Sequence, residues 1–216
     1  MPTTNDAIIA IDILLEPDTR MLQHAEVNNA RLLRAFPNGF ALDAAHRPHI
    51  TMVQRFVHAE RLDELYAAIG KVLDEANVTA INLMAYKYYY APGPGVGVAG
   101  SCARPTPELL NLQAAVIAAA APFTVEIGTK AAFTAPHDKP ALDMLLIEYV
   151  SEFVPKYSGA NYNPHVSTGV GSREYLDAML DEPFESFTFS PAGAAVYQLG
   201  PFGTAAKKLR EFDLKH

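Results

Sequence analysis

Two segments of this chain carry the same chemistry: Pro48-His49-Ile50-Thr51 and Pro164-His165-Val166-Ser167. Each is a proline, a histidine, an aliphatic residue and a hydroxyl. In an extended strand alternate side chains share a face, so His49 points with Thr51 and His165 with Ser167. Two such strands facing one another gather two imidazoles and two hydroxyls around a small volume. That set suits a phosphodiester. One imidazole takes a proton from the nucleophile, the other protonates the leaving oxygen, and the hydroxyls bond phosphate oxygens. Imidazoles titrate near neutral pH, as such a pair requires. One copy would be weak, since histidine and threonine also suit an ordinary strand. Two copies about half the chain apart mark a duplicated motif.

A His-hydrophobic-Thr/Ser motif in each half of a chain resembles the two-histidine phosphoesterase superfamily, which holds RNA 2′,3′-cyclic phosphodiesterases and the 2′-5′ RNA ligases. The order of elements resembles it too. The resemblance implies an α+β fold: one bilobal, pseudo-twofold unit spanning residues 1–216. Two mainly antiparallel sheets would flank a central cleft, with helices outside, in the LigT-like manner. It also implies a metal-free, cofactor-free phosphodiesterase acting on 2′,3′-cyclic or 2′-5′-linked nucleotides or RNA ends. His49 and His165 would then be the acid/base pair and Thr51 and Ser167 the phosphate-binding hydroxyls. The sequence does not order the two histidines; His49 as acid and His165 as base is the working assignment. The second motif departs in one place, since Thr168 and Gly169 follow Ser167 where an apolar residue is usual.

Other residues are candidate substrate contacts. Arg55 lies on the face of His49 and Thr51 if the strand alternates regularly, and either holds phosphate or sits at an exposed strand end. In the run Tyr86-Lys87-Tyr88-Tyr89-Tyr90, the pair Lys87 and Tyr89 shares one face and Tyr86, Tyr88 and Tyr90 the other. Aromatic faces stack bases and lysine reaches phosphate, though such a run also packs as core and rim. Tyr157 and Tyr162 occupy the polar loop before His165, a reasonable place for substrate contacts. Gly169 and Gly171 continue the His165 face as a bare strip, open to a ligand or a neighbouring backbone, or simply mark the strand end. His46 and His49 near Asp43 invite a metal reading, but that spacing sets the imidazoles on opposite faces and offers no third ligand. His24, His58, His137 and His216 read as surface.

Bulk properties limit the partners. The chain has 216 residues, half of them hydrophobic, and a net charge of −7. A protein that grips long nucleic acid through many phosphates is normally basic. The expected partner is therefore a small nucleotide or an RNA end reaching a locally positive cleft. The single cysteine, Cys102, excludes an internal disulfide and a cysteine-built zinc site. The apolar run 7–15 is interrupted by Asp12 and too short to span a membrane. A cytoplasmic monomer is the expectation. Two other readings remain: a nucleotide- or RNA-binding module with little turnover, and a metal-dependent hydrolase built on the His46/His49 region.

Several elements must position the motifs. Residues 7–15 read as a buried strand, and Pro17-Asp18 opens a helix to about Phe36. The His49 strand runs to about Val57. A helix covers 59–76, with Leu62, Leu65, Ile69, Val72 and Leu73 on one stripe. A long strand is expected over 78–90, a turn at 91–95, a return strand at 96–100 and a helix over 107–120. A short strand holds Val125 and Ile127. A helix from about Lys139 to Val154 places Leu142, Leu145, Leu146 and Tyr149 on one stripe. The His165 strand, a helix over 172–181 and strands near 185–190, 193–199 and 205–213 complete the chain. Turn-linked pairs near 91–95 and 190–192 favour antiparallel pairing over a parallel α/β sheet.

Overall fold

The computed structural model describes residues 7–134 and 140–214. Its strands are β1 (Ile8–Pro17), β2 (Ile50–His58), β3 (Leu83–Pro92), β4 (Val96–Ala103), β5 (Thr124–Val125), β6 (His165–Ser172), β7 (Phe187–Phe189), β8 (Pro191–Leu199) and β9 (Ala205–Phe212). Its α-helices are α1 (Thr19–Ala35), α2 (Leu62–Glu75), α3 (Pro107–Ala120), α4 (Pro140–Ser151), α5 (Phe153–Tyr157) and α6 (Arg173–Leu180). The strands form a five-stranded sheet in the order β5-β2-β1-β8-β9 and a four-stranded sheet in the order β6-β4-β3-β7. Every pairing is antiparallel. The expected α+β class with two antiparallel sheets is the one found.

The larger core joins the two sheets. Ile11, Ile13 and Leu15 of β1 and Ile50 and Met52 of β2 share it with Leu83 of β3, Val166 of β6 and Phe189 of β7. The stripe Leu65, Ile69 and Leu73 of α2 closes it on one side. Helix α1 lies across β6, where Leu32 packs against Gly171. Its start is fixed by Asp18, whose Oδ1 accepts from Met21 N at 3.1 Å. Thr106 and Ser172 cap α3 and α6 in the same manner, satisfying backbone N–H groups that a helix leaves open.

Four boundaries differ from the sequence reading. Residues 78–80 form a 3-10 turn, so β3 begins at Leu83. β5 ends at Val125, and Ile127 is exposed. The helix expected over 139–154 is two helices, because Pro155 has no N–H to offer the Ser151 carbonyl four residues back. Lastly, strands β7 and β8 are not a hairpin. Only Ser190 separates them, fewer residues than a hairpin turn requires. Asp18 N bonds the Ser190 carbonyl and Asp18 Oδ2 accepts from Ser190 N, both at 2.9 Å. The chain therefore runs straight on, leaving the four-stranded sheet at β7 and joining β1 of the other sheet at β8. The turn at 93–95, by contrast, does link the pair β3 and β4. His137, His216 and the side chain of Leu142 lie outside the described residues. Among those described, no helix is long and apolar enough to cross a membrane.

Candidate active site

The two motifs open onto one cleft of about 270 Å³. His49, Thr51 and Gln54 reach it from the β2 side, His165 and Ser167 from β6, and Val96 and Val98 from β4. The local construction is the same on both sides. His49 Nδ1 lies 2.6 Å from the Arg47 carbonyl, and His165 Nδ1 lies 2.8 Å from the Asn163 carbonyl. In each case the acceptor belongs to the residue before the motif proline. A donor hydrogen is thus held on Nδ1, which leaves Nε2 as the working nitrogen of each ring.

A β-bulge follows each hydroxyl at once. In β2, Thr51 stands opposite Leu14 and Val53 opposite Ile13, so Met52 is the extra residue. In β6, Ser167 stands opposite Gly100 and Gly169 opposite Ala99, so Thr168 is extra. A bulge reverses the alternation of the strand beyond it. Past Thr51 the cleft face therefore continues through Gln54. Arg55 turns away, does not line the cleft, and donates from Nη1 to the Ser151 carbonyl at 2.9 Å. That is the carbonyl Pro155 leaves without a helix donor, so Arg55 ties α4 to β2. It is not a phosphate contact. The second bulge likewise turns Gly169 and Gly171 away from Ser167 and towards α1 and α6, where a Cβ at Gly169 would meet Asn29 and Leu32 and one at Gly171 would meet Leu176 and Leu32. The bare strip admits a helix.

Of the aromatic candidates, Tyr89, Tyr157 and Tyr162 all line the cleft. The Tyr89 ring sits 4.9 Å from that of His165. Lys87 does not line it; its ammonium lies over the Tyr86 ring, 5.4 Å from the centroid. Tyr88 and Tyr90 face the helices. Tyr90 donates to Asp177 Oδ1 at 2.5 Å, and Tyr88 packs on Arg31 and Phe184. His24 is not a surface residue. Its Nε2 lies 2.9 Å from Ser101 Oγ, and its ring is packed against Phe187. His46 lines the cleft, bonded to Asp43 at 2.8 Å and stacked on Phe40. No group of three metal-ligating side chains occurs among the described residues.

Three cleft features escaped the sequence reading. Tyr149 and Phe153 join Tyr157 in an aromatic wall, with Tyr149 and Tyr157 ring centroids 4.6 Å apart. Arg47 is the only lysine or arginine among the described lining residues. Asp12, fully buried in β1, lies directly behind the first motif. Its Oδ2 accepts from Thr51 Oγ1 at 2.6 Å and from Gln54 Nε2 at 2.9 Å, and stands 3.3 Å from His49 Nε2. Its other oxygen, Oδ1, has no partner among the described residues. A carboxylate in the middle of an apolar strand was the available signal.

The surroundings separate the two imidazoles. Burial opposes charge on His49, but the hydrogen bond and charge of Asp12 outweigh it, and the pKa of His49 stands above its ordinary value. Burial pushes His165 the other way, and the charge of His49 adds to that. The cleft thus makes His49 the easier of the two imidazoles to charge and His165 the easier to keep neutral. Burial also holds the Tyr149 and Tyr162 hydroxyls well above the ordinary phenol range, so both stay neutral.

No family model and no curated protein matches the chain. Solved structures do. A crystal structure of TT0787 of Thermus thermophilus aligns with a TM-score of 0.55 at 16% identity, covering 95% of this chain and 98% of that one. E. coli LigT complexed with 3′-AMP aligns over 97% of this chain and 100% of that chain, at 13% identity and a TM-score of 0.46. Kluyveromyces marxianus Usb1 aligns over 96% and 99%, at 10% identity and a TM-score of 0.44. At these identities the likeness is one of fold. With TT0787, the one of these three above a TM-score of 0.5, the chain shares its overall fold.

Proposed function

We propose that this protein is a metal-independent phosphodiesterase acting on a 2′,3′-cyclic phosphate or a 2′-5′-linked nucleotide or RNA end. One observation carries the reading: His49 and His165 enter a single cleft from different sheets, each with Nδ1 tied back to a carbonyl. Nε2 of neutral His165 takes a proton from water. The resulting hydroxide oxygen forms a bond to phosphorus as the bond to the departing ribose oxygen breaks. Nε2–H of His49 protonates that oxygen, leaving a phosphomonoester. Thr51 and Ser167 donate to the non-bridging oxygens as charge develops there.

The substrate is small. Arg47 supplies the cleft's arginine charge, enough for one phosphate, and the chain's net charge of −7 repels polyanions on average. Tyr89, Tyr149 and Tyr157 offer faces on which a base can stack. Residues 1–216 act as one two-lobed unit in this reading, supported by a chain that passes between the sheets and a core shared by both.

The test is turnover of 2′,3′-cyclic nucleotides and 2′-5′ dinucleotides in the presence of EDTA. His49→Ala and His165→Ala should each lower kcat by at least about 100-fold, as loss of a general acid or base does, while near-native melting shows intact folding. Full activity in either variant, or activity abolished by EDTA, overturns the proposal. A second reading, binding with little turnover, is favoured by the Thr51 hydroxyl, which is committed to Asp12 rather than to a ligand. Calorimetric binding of the same nucleotides without product formation would establish it.

A further inference from the structure

The two half-sites can be laid over one another by register alone. Thr51 opposite Leu14, the extra residue Met52, and Val53 opposite Ile13 repeat as Ser167 opposite Gly100, Thr168, and Gly169 opposite Ala99. The next step breaks the likeness. In the first half-site Asp12 stands opposite Gln54; in the second, Val98 stands opposite Val170. The position that presents a buried carboxylate to His49 therefore presents a valine in the half-site of His165. The bulge position and the carbonyl on each Nδ1 are matched, while Gln54, which bonds Asp12, is likewise replaced by Val170.

We infer that Asp12 is a positioning residue that assigns the two histidines their different roles, holding His49 as the charged proton donor while His165, with Val98 in the matching place, stays the neutral acceptor. The inference rests on the phosphodiesterase reading for its catalytic consequence but not for its electrostatic one. An uncompensated carboxylate in a dry strand is costly, and a buried carboxylate favours a cation within its reach. Asp12 has two neutral donors, one oxygen without a partner among the described residues, and His49 Nε2 at 3.3 Å. The other titratable groups around His49 are Glu16 of β1, His165 of β6, and His46 and Arg47 ahead of β2. Tyr149 of α4 and Tyr162 before β6 face Asp12. Glu16 acts in the same direction as Asp12 on His49, but it belongs to an ion pair with Lys208, 3.0 Å away. Asp12 thus acts through His49 and Thr51 and touches no substrate; its charge also reaches His165 in the raising direction, but as the weakest influence there, behind burial. Substrate phosphate, arriving in the cleft, would draw both the Thr51 hydroxyl and the His49 Nε2–H away from it.

The experiment is a histidine-resolved NMR titration of the ligand-free protein and of Asp12→Asn, which keeps the shape and removes the charge. In the unmodified protein His49 should titrate at a higher pH than His165. In the variant the His49 midpoint should move to lower pH. If His165 titrates above His49 in the unmodified protein, the inference fails, whatever the variant does. If the variant folds and the His49 midpoint stays put, it fails also. Neither measurement needs a substrate, so both remain decisive if no phosphodiester is turned over. Where turnover is found, Asp12→Asn should lower kcat at neutral pH about ten- to a hundredfold, within the range a general acid contributes. KM should be little changed, and the alkaline limb of the rate profile should shift to lower pH. A rise in KM with an unmoved limb would mark Asp12 as a merely structural residue and overturn the assignment.

Discussion

The Tyr162 hydroxyl donates to the backbone carbonyl of Thr51 at 2.7 Å, joining the loop that precedes one histidine strand to the strand that follows the other histidine. Tyr162 is only 8% exposed. Its hydroxyl is a strut between the halves of the cleft, lying also 3.6 Å from Met52 Sδ. Tyr162→Phe leaves the Thr51 carbonyl without this donor. Leaving a buried polar group unpaired costs about 1–3 kcal/mol. Denaturant unfolding should register a loss of that size, with an unchanged slope. Turnover should fall as well, because the hydroxyl of Thr51 and the ring of His49 are carried by the same backbone.

The pH dependence follows from the opposed shifts of the two imidazoles. His165 must be neutral to accept a proton, and its pKa lies below the ordinary value of about 6.5. Activity is therefore lost as pH falls through that lowered value. His49 must be charged, and its pKa lies above the ordinary value. Activity is lost as pH rises through that raised value. The profile of kcat/KM should be a bell with a flat top spanning pH 6.5, broader than two unshifted imidazoles would give. A sharp peak with little plateau would contradict the assignment of the two limbs.

Arg47 and Arg55 should part company in kinetics. Arg47 lines the cleft, where the proposed anionic substrate would meet it; Arg55 is turned to the Ser151 carbonyl. Arg47→Ala should raise KM for a phosphodiester by about tenfold, the loss of one charge-assisted contact. Arg55→Ala should leave KM in place and lower stability by about 1–3 kcal/mol, since the Ser151 carbonyl loses its donor. Steady-state kinetics and thermal melting on the two variants distinguish the roles.

Gly169 carries a φ of +150°, and a Cβ there would lie 3.0 Å from Asn29 Nδ2 and 3.1 Å from Leu32 Cδ1. The residue has both to bear a backbone angle that side chains avoid and to let α1 approach β6. Gly169→Ala should cost about 1–3 kcal/mol. Because Asn29 Nδ2 also donates to the Thr168 carbonyl at 2.9 Å, the substitution should disturb the bulge that aims Ser167. A melting curve and KM for a small phosphodiester would show the two effects together.

The sequence by itself determined the paired motifs and most of the scaffold. His49, Thr51, His165 and Ser167 were legible because their spacing repeats, and the helix start at Pro17-Asp18 because capping is a local interaction of the first turn. The antiparallel turn between β3 and β4 was equally local. Tertiary structure decided what depends on one strand's register against another. The bulges at Met52 and Thr168 exist only relative to β1 and β4. They sent Arg55 and the glycine strip away from the cleft and brought Gln54 into it. The crossing of β7 and β8 between sheets and the removal of Lys87 from the site were also decided there. So was the place of Asp12, an interruption in an apolar strand until β2 is laid beside it. Periodicity along a chain reports which residues share a face of one element; it carries no information on the neighbour that face will meet.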